Sequence, residues 1–530
     1  MTNALTKAFS STGTFVKPSQ AAPTFTNVPG QSVDLSPGQT TRIISTTYDF
    51  TNLTGDVVAE DYYLDTSTGS LKAKDNKVWV ANAELEQAYH TSNYTNRKVY
   101  TRDKNNNFVP FNTVNKSNFL AAVGGRGRLT EDDVINYVLG DPSKEDAQDK
   151  YARVRKKGIL GTLVSPTVAM VHPLPVNSKA RAQGCTYATP IENRQDAYVV
   201  SANDGMVHIL NNNGQEEMAL MLSSAVPSLS EYAQPGYIHK YLNDGTPIVA
   251  EVCTGSTSTP NREARSIAVG SAGKGGAAIY AIDVTDTSNI TSNNLLWEFT
   301  GQDDAGFGIA AGVPSVAKTG EGKAIAIMSS GYNNSTNDGS IFILDLNKPK
   351  GTAWIQGSNY IKVQLRDANT GVTSPSGVGD VRVYDSNNDG VPDKLYVGDY
   401  NGNLWRIKYT ASADNNGLGT WDVSLLYKAP AGAPPITTKP DVHNDYVIAG
   451  TGQYMTSDAL DKKQQNYAYG FIDTGETIDG MGALLEQSID KNVTAQTDLD
   501  KVGASGWTIT RNEMQSNHKG WGGVLKSMLT

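Results

Sequence analysis

The sequence predicts an all-β protein: a modified β-propeller of about six or seven blades, with a strand-rich N-terminal segment and short helical insertions. The first observation is a unit of strand, glycine-centred turn and strand that recurs from residue 158 onward. The second is its spacing, since the last core residues of five clear copies lie 72, 62, 63 and 65 residues apart, at Leu210, Ile282, Leu344, Ile407 and Ile472. Such a period holds about four short strands, the size of one propeller blade. An open β-solenoid is less favoured because its repeats are usually shorter.

Each copy places two runs of β-forming residues around a turn. These runs are rich in valine, isoleucine and tyrosine, which favour strands. A further strand is expected around Trp507, so the copies and the N-terminal strands together indicate six or seven blades. The five copies are 197–210, 266–270 with 277–283, 324–328 with 338–345, 395–407, and 446–452 with 467–473.

The chain before the repeats divides into three parts. Residues 1–40 are rich in serine, threonine, proline and glycine and are expected to be extended or poorly ordered. Residues 41–80 read as N-terminal strands, which we expect to pair with C-terminal strands and close the ring, because closure removes exposed sheet edges. Residues 81–157 form an insertion with short helices, and 158–530 hold the repeated blades. The propeller as a whole then spans 41–530.

Three helices are expected in the insertion. Residues 81–88 are mostly good helix formers, and 115–123 contain a short apolar helical candidate. A third helix begins with a capping box at Thr130 and ends at Gly140. A basic cluster follows and is expected to be a solvated face instead of a binding patch; it comprises Arg153, Arg155, Lys156 and Lys157.

Segment 385–393, directly before the fourth hairpin, has the spacing of a calcium-binding loop. Oxygen-bearing side chains fall at its positions 1, 3, 5 and 9, and glycine at position 6 permits a sharp turn. Alternate side chains of such a loop converge on the ion, and hard Ca²⁺ favours all-oxygen ligands. The predicted ligands are Asp385, Asn387, Asp389, Val391 through its backbone carbonyl, and Asp393.

This loop differs from an EF-hand in two ways. Position 12 is Tyr396 instead of a bidentate glutamate, so Asp393 must complete the ligand set. The flanking runs 381–384 and 394–397 are rich in β-formers and predict strands, not helices. Lys394 is expected to make the local charge slightly less acidic. The alternative interpretation is an Asx-rich turn that binds no metal.

Charge and hydropathy exclude some classes of function. The formal charge of −9 argues against nucleic acid as the main partner. No run of 18 apolar residues is present, so no transmembrane segment is expected. Residues 1–6 lack the features of a signal peptide, so a secreted form would be a processed or excised piece.

The two cysteines leave two interpretations open. Cys185 and Cys253 are too few for a disulfide scaffold. They form either one bridge in an oxidising compartment or two buried unpaired thiols.

Several motifs, taken in order, resemble the C-terminal domain of the PilC/PilY family of type IV pilus-associated proteins. The resemblance extends from about residue 40 to 525. Its most specific part is the loop 385–393 followed by Tyr396 to Trp405, with Asp399, Asn401 and Gly402 between them. The other matching stretches are 199–208, 235–241, 244–247, 276–286, 296–299 and 331–333.

The resemblance implies an extracellular, cell-surface or outer-membrane-associated protein. Members of this family carry a modified β-propeller, lie outside Gram-negative cells, and promote pilus assembly and host-cell adhesion. The implied partners are minor and major pilins and a host-cell surface receptor. The family's calcium site maps onto the five predicted ligands; there, bound calcium opposes pilus retraction and its release permits it. The implied function is non-enzymatic and includes calcium-modulated twitching motility.

The sequence leaves two alternative functions open. Quinone-dependent dehydrogenases are also propellers with blade tryptophans, and Trp297 resembles their blade-docking residues, although blade packing explains it more simply. A quinone site is often beside a vicinal cysteine pair, and these cysteines are 68 residues apart. The other alternative is a generic ligand-binding propeller with a purely structural calcium; the acidic segments 303–306 and 333–339 read as turns. No His-Glu-x-x-His or Gly-x-Ser-x-Gly motif occurs, and six histidines lack ligand spacing: His90, His172, His208, His239, His443 and His518.

Overall fold

A computed structural model describes residues 24–25, 40–68, 70–145, 151–174, 178, 184–187, 191–254, 262–453, 465–491, 507–509 and 512–525. Within these residues the strands form six sheets. The predicted all-β class is therefore confirmed. Most of segment 1–40, expected to be extended, lies outside the described residues.

The first sheet is built from the N-terminal strands in the order β1-β2-β3-β4. Their expected pairing with C-terminal strands is wrong for the described residues. The strands pair locally instead, because β2 and β3 form a long antiparallel hairpin from Thr40↔Tyr63 to Asp49↔Thr54. The strands are β1 (Thr24–Phe25), β2 (Thr40–Asp49), β3 (Thr54–Asp65) and β4 (Ser70–Val80).

The second sheet combines strands from the insertion with the first repeat copy. Its order is β6-β5-β10-β9-β8-β7, and β5 joins β10 in parallel through Val99↔Ala219. The insertion therefore contributes two strands to the sheet of the first repeat. The strands are β5 (Val99–Arg102), β6 (Phe108–Pro110), β7 (Ala169–Val171), β8 (Ala197–Ser201), β9 (Met206–Leu210) and β10 (Glu216–Met221).

The third and fourth sheets are four-stranded antiparallel meanders, as the repeat length predicts. The third contains β11 (Ile248–Thr254), β12 (Glu263–Ser271), β13 (Ala278–Asp283) and β14 (Leu295–Thr300). The fourth contains β15 (Ser315–Lys318), β16 (Ala324–Ser329), β17 (Ser340–Asp345) and β18 (Tyr360–Gln364).

The last two sheets depart from the simple meander. The fifth has the order β19-β20-β21-β22-β26, and the sixth has the order β23-β24-β25-β29-β27-β28. The fifth contains β19 (Arg382–Tyr384), β20 (Lys394–Gly398), β21 (Leu404–Thr410), β22 (Thr420–Lys428) and β26 (Ile478–Asp479). The sixth contains β23 (Asp441–His443), β24 (Tyr446–Gly450), β25 (Asn466–Ile472), β27 (Leu485–Lys491), β28 (Trp507–Ile509) and β29 (Gly520–Leu525).

Helices are few and short in the described residues. The predicted helices at 81–88 and after Thr130 are confirmed, and the capping box of the second pairs Thr130 with Asp133. They are α1 (Ala81–Tyr89), α2 (Glu131–Leu139), α3 (Leu229–Tyr232) and the kinked turn α4 (Asp414–Gly417). Short 3₁₀ turns are Ser92–Asn96, Lys116–Asn118, Val226–Ser228, Gly273–Gly275, Ser292–Asn294 and Met481–Ala483.

Two expectations for the insertion are wrong. Residues 115–123 form only the 3₁₀ turn Lys116–Asn118, because the Asn112 side chain accepts the Asn115 N–H and Phe119 stacks on Phe111. Arg153 and Arg155 are buried instead of solvated, although Lys156 and Lys157 are exposed. Arg155 is neutralised by Glu145, and Arg153 lies over the rings of Tyr232 and Tyr237.

Consecutive sheets pack face to face through shared apolar clusters, from the first sheet to the sixth. In β16, Ile325 and Ile327 belong to the cluster with the fifth sheet, whereas Ala326 and Met328 belong to the cluster with the third. A strand buried on both faces carries an uninterrupted apolar run. That burial explains why the first four repeat copies are recognisable in the sequence, whereas β24 of the fifth copy alternates exposed and buried residues.

Candidate metal centre

The predicted calcium loop connects two neighbouring strands of the fifth sheet. Strands β19 and β20 are antiparallel, and Tyr384↔Lys394 is the last pair before the loop. The predicted strands on both sides of 385–393 are thus confirmed. The loop is also attached to the fourth sheet, because the Gly390 carbonyl accepts a hydrogen bond from the Lys318 backbone N–H at 2.9 Å.

Glycine at the sixth position has a conformational role. Gly390 has φ +88°, in the left-handed region that side chains with a Cβ rarely adopt. Asn388 is also left-handed, with φ 58°, which asparagine tolerates better than most residues. These two residues turn the chain sharply enough to bring positions 1, 3 and 5 to the same side.

The side chains at these positions converge on the backbone at the tip of the loop. Asp389 donates its N–H to Asp385 Oδ1 at 3.2 Å and to Asn387 Oδ1 at 3.0 Å. Gly390 donates its N–H to Asp385 Oδ2 at 2.7 Å, and Val391 donates to Asp389 Oδ1 at 2.7 Å. Three of the predicted ligands therefore place oxygen atoms in one small region of the loop.

Asp393 points to a different partner. Its Oδ2 accepts hydrogen bonds from the backbone N–H and the hydroxyl of Ser386 at 2.7 and 2.6 Å. Across the described residues, no three His, Cys, Asp or Glu side chains are grouped as a ligand set for a metal ion. For calcium to recruit all the predicted ligands, Asp393 would have to exchange Ser386 for the ion.

The charge of the loop favours a cation. Among the described residues, no lysine or arginine forms an ion pair with Asp385, Asp389 or Asp393. The expected contribution of Lys394 is wrong, because its ammonium is turned to Asp473 Oδ2 at 2.9 Å. Carboxylate, amide and carbonyl oxygens are the ligands that Ca²⁺ prefers, so the donor chemistry of the loop fits calcium.

The other acidic turns contrast with this loop. Lys362 Nζ lies 3.0 Å from Asp338 Oδ2 and 3.7 Å from Asp304 Oδ1. Asp303 forms a two-pronged ion pair with Arg102 at 2.6 Å. The carboxylates of segments 303–306 and 333–339 are thus already paired with a lysine or an arginine from elsewhere in the chain. This pairing supports the interpretation of both segments as turns.

A buried ionic cluster in the second sheet escaped prediction from the sequence. His208 lies between Asp204 and Glu216, at 3.3 and 2.6 Å, and Glu216 also pairs with Arg97 at 2.8 Å. Burial opposes the charge on His208, but the two carboxylates outweigh it and raise its pKa to about 9. His208 is therefore structural, as expected.

Trp297 is likewise a packing residue, buried against Trp354.

The cysteines are bridged. Cys185 and Cys253 form a disulfide with their Cα atoms 5.8 Å apart, and both residues are buried. Of the two interpretations left open by the sequence, the structure selects the bridge. In the described parts of the chain, no helix is long and apolar enough to cross a membrane.

Comparison with known proteins points to one family. The family model described as the PilY1 beta-propeller domain matches residues 165–499. The type IV pilus biogenesis factor PilY1 of Pseudomonas aeruginosa (strain PAK) is 30% identical over 385 residues, which cover 64% of this chain and 30% of that protein. A PilY1 homolog of Xylella fastidiosa (strain Temecula1 / ATCC 700964) is 28% identical over 416 residues, covering 74% of this chain and 32% of that protein. The chain thus spans about a third of the length of these relatives.

The structural comparison agrees in fold. The crystal structure of the Pseudomonas aeruginosa PilY1 C-terminal domain matches with a TM-score of 0.50 and 24% sequence identity. The match covers 67% of this chain and 77% of that chain. At this identity the likeness concerns the fold alone.

Proposed function

The chain belongs to the PilY1 β-propeller domain family, and on that premise we propose that it is a calcium-binding surface protein of the type IV pilus system. It supports pilus biogenesis, calcium-modulated extension and retraction of the pilus, and adhesion to host cells. It acts outside the cell, and its partners are pilins and a host-cell receptor. The observation that carries the proposal is the hairpin loop 385–393, where no lysine or arginine of the described residues is paired with any of its three carboxylates.

Calcium would be held by Asp385, Asn387, Asp389, the Val391 carbonyl and Asp393. The ion supplies positive charge that these oxygens share. It orders the loop, which joins β19 to β20 in the fifth sheet and contacts the fourth sheet through Gly390. At a free calcium concentration about ten times the dissociation constant, binding would stabilise the folded protein by about 1.4 kcal/mol. That is enough to order a loop but not to build the fold.

Replacing Asp389 with alanine is expected to abolish specific calcium binding. Asp389 is exposed and central to the loop, so its loss removes a ligand without disturbing a core, and circular dichroism should remain largely unchanged. Isothermal titration calorimetry with CaCl₂ measures the effect. The matched control is Asp422→Ala, which removes another exposed carboxylate of the fifth sheet and should bind calcium as the wild type does. Undiminished binding by the Asp389 variant would refute the site.

The same variant tests the biological role in cells that carry the whole protein. If calcium modulates pilus extension and retraction, Asp389→Ala alters pilus number or twitching distance, whereas Asp422→Ala does not. Identical piliation and motility would reduce the ion to a structural role, as in the alternative of a generic ligand-binding propeller.

Quinone absorbance and dye reduction by the purified protein would instead support the alternative of a dehydrogenase.

We also propose that the six sheets are the blades of one closed ring. Each sheet packs on the next, and the face of the sixth sheet that turns away from the fifth exposes Tyr446 and Ile448 by 52% and 49%. Packing of this face on the first sheet would close the ring and bury both side chains. Small-angle scattering should then fit a compact ring; a profile that requires an open arc would contradict closure.

A further inference from the structure

The sixth sheet supplies a buried carboxylate to the fifth sheet beside the loop 385–393. Asp473 follows directly after β25, and its side chain is fully buried. Its Oδ2 accepts hydrogen bonds from Lys394 Nζ at 2.9 Å and from the Tyr396 hydroxyl at 2.6 Å, and its Oδ1 binds the Arg406 guanidinium. All three partners lie on β20 or β21, so this contact joins the two sheets.

Lys394 is the cation nearest to the loop along the chain. It follows Asp393 directly, and its backbone pairs with Tyr384 at the base of the loop. A lysine side chain is long and flexible, so an unpaired ammonium here could reach toward the carboxylates of the loop. The ion pair with Asp473 draws it to the other side, toward the sixth sheet.

A second cation at the base of the loop is held in the same way. Arg382 begins β19, and its guanidinium lies 3.1 Å from Asp441 of β23 in the sixth sheet. This pair is exposed and therefore weak. Of the two carboxylates, Asp473 is the one expected to hold its cation more firmly. Burial opposes its charge, but hydrogen bonds from Tyr396 and Lys394 and the charge of Arg406 outweigh burial and lower its pKa to about 2.

We propose that Asp473 is a positioning residue for the calcium site: it holds Lys394 away from the carboxylates of 385–393 and keeps them available to a divalent cation. This inference rests on the proposed calcium site. The position of Asp473 also makes calcium affinity depend on the contact between the fifth and sixth sheets. Movement of Asp473 away from β20 releases the ammonium to compete with calcium. By linkage, bound calcium in turn favours the closed contact.

The experiment is a double-mutant cycle in calcium affinity, measured by calorimetry on the whole chain at low ionic strength. Asp473→Asn is expected to weaken calcium binding about fivefold, the effect of one released charge on a divalent ion several ångströms away. Lys394→Gln alone should change the affinity less than about twofold, and the double variant should recover most of the lost affinity. Asp441→Asn, which releases the exposed Arg382, is the matched control and should have a small effect.

The outcomes separate this inference from the proposed function. Absence of calcium binding by the wild type contradicts the site itself. If the wild type binds calcium and Asp473→Asn binds it with the same affinity, the role of Asp473 is overturned. The same conclusion follows if the double variant binds calcium as weakly as Asp473→Asn.

A measurement on the wild type covers the case in which Asp473→Asn does not fold. The acetylation rate of Lys394 by an amine-reactive reagent, followed by mass spectrometry, should be slow and no faster with calcium than without it, because bound calcium favours the closed contact. A rate that rises when calcium is added would place the ammonium on the loop and overturn the proposal.

Discussion

Replacing both Cys185 and Cys253 with serine is expected to lower the free energy of unfolding substantially. The bridge joins residues 68 positions apart, and a loop of that size corresponds to about 4 kcal/mol of loop-closure entropy in the unfolded chain. The bridge also fastens segment 184–187 to the third sheet, where Ala264 donates its N–H to the Thr186 carbonyl at 2.7 Å. Losing the bridge therefore weakens the edge of this sheet as well as freeing the unfolded chain.

Urea denaturation followed by circular dichroism measures this effect. The oxidised wild type should unfold at a clearly higher urea concentration than the double serine variant. Reductant should move the wild type toward the variant and leave the variant unchanged, which is the control. Equal midpoints for oxidised wild type and variant would show that the bridge does not contribute to stability. A strong contribution fits a protein that matures in an oxidising compartment.

The repeat was predictable because its signal is local. Each of the first four copies contains two adjacent strands that are largely buried on both faces, so apolar runs and a glycine turn mark it in the sequence. The loop 385–393 was predictable for the same reason, since its ligand pattern and flanking strands are contiguous. The long-range ionic contacts were not predictable: Asp473 meets Lys394 of the neighbouring sheet across 79 residues, and within the second sheet Glu216 meets Arg97 across 119.

One signal for Asp473 was nevertheless present. An aspartate directly follows the last core residue in three of the five copies, at Asp283, Asp345 and Asp473. Asp345 binds Lys323 at 3.0 Å, so this position recurs as an acceptor for a lysine at a strand end. The burial of Arg153 and Arg155 had no such signal. A charged cluster reads as solvated unless its partners are known, and here these are Glu145, ten residues before Arg155, and the Tyr232 and Tyr237 rings that Arg153 covers.

Glu298 is expected to make the stability of the protein fall as the pH rises toward 8. Its side chain is buried in β14, where Oε1 accepts the Ser223 N–H at 2.9 Å and Oε2 has no hydrogen-bond partner within the part of the chain that the structure describes. Burial raises its pKa to about 7, and the charge of Asp303 adds to this, although Arg102 and the bond from Ser223 act in the opposite direction. The unfolded chain would titrate near the ordinary value of about 4.3 for glutamate.

The direction of the effect follows from proton binding. Between these two pKa values the folded protein binds more protons than the unfolded chain, so its stability decreases as the pH rises. Below the lower pKa both states are protonated and the penalty vanishes. Above the folded pKa the full penalty applies, on the order of 3 kcal/mol.

Glu298→Gln removes the titration while keeping the shape and the acceptor for Ser223. The free energy of unfolding, measured in urea from pH 5 to 9, should therefore decline less with pH in this variant than in the wild type. The matched control is Glu321→Gln, which neutralises an exposed glutamate and should retain the wild-type decline. Parallel pH profiles for the wild type and Glu298→Gln would mean that the buried carboxyl keeps the same charge in the folded and unfolded states. In that case Arg102, already bound to Asp303, would also have to neutralise Glu298.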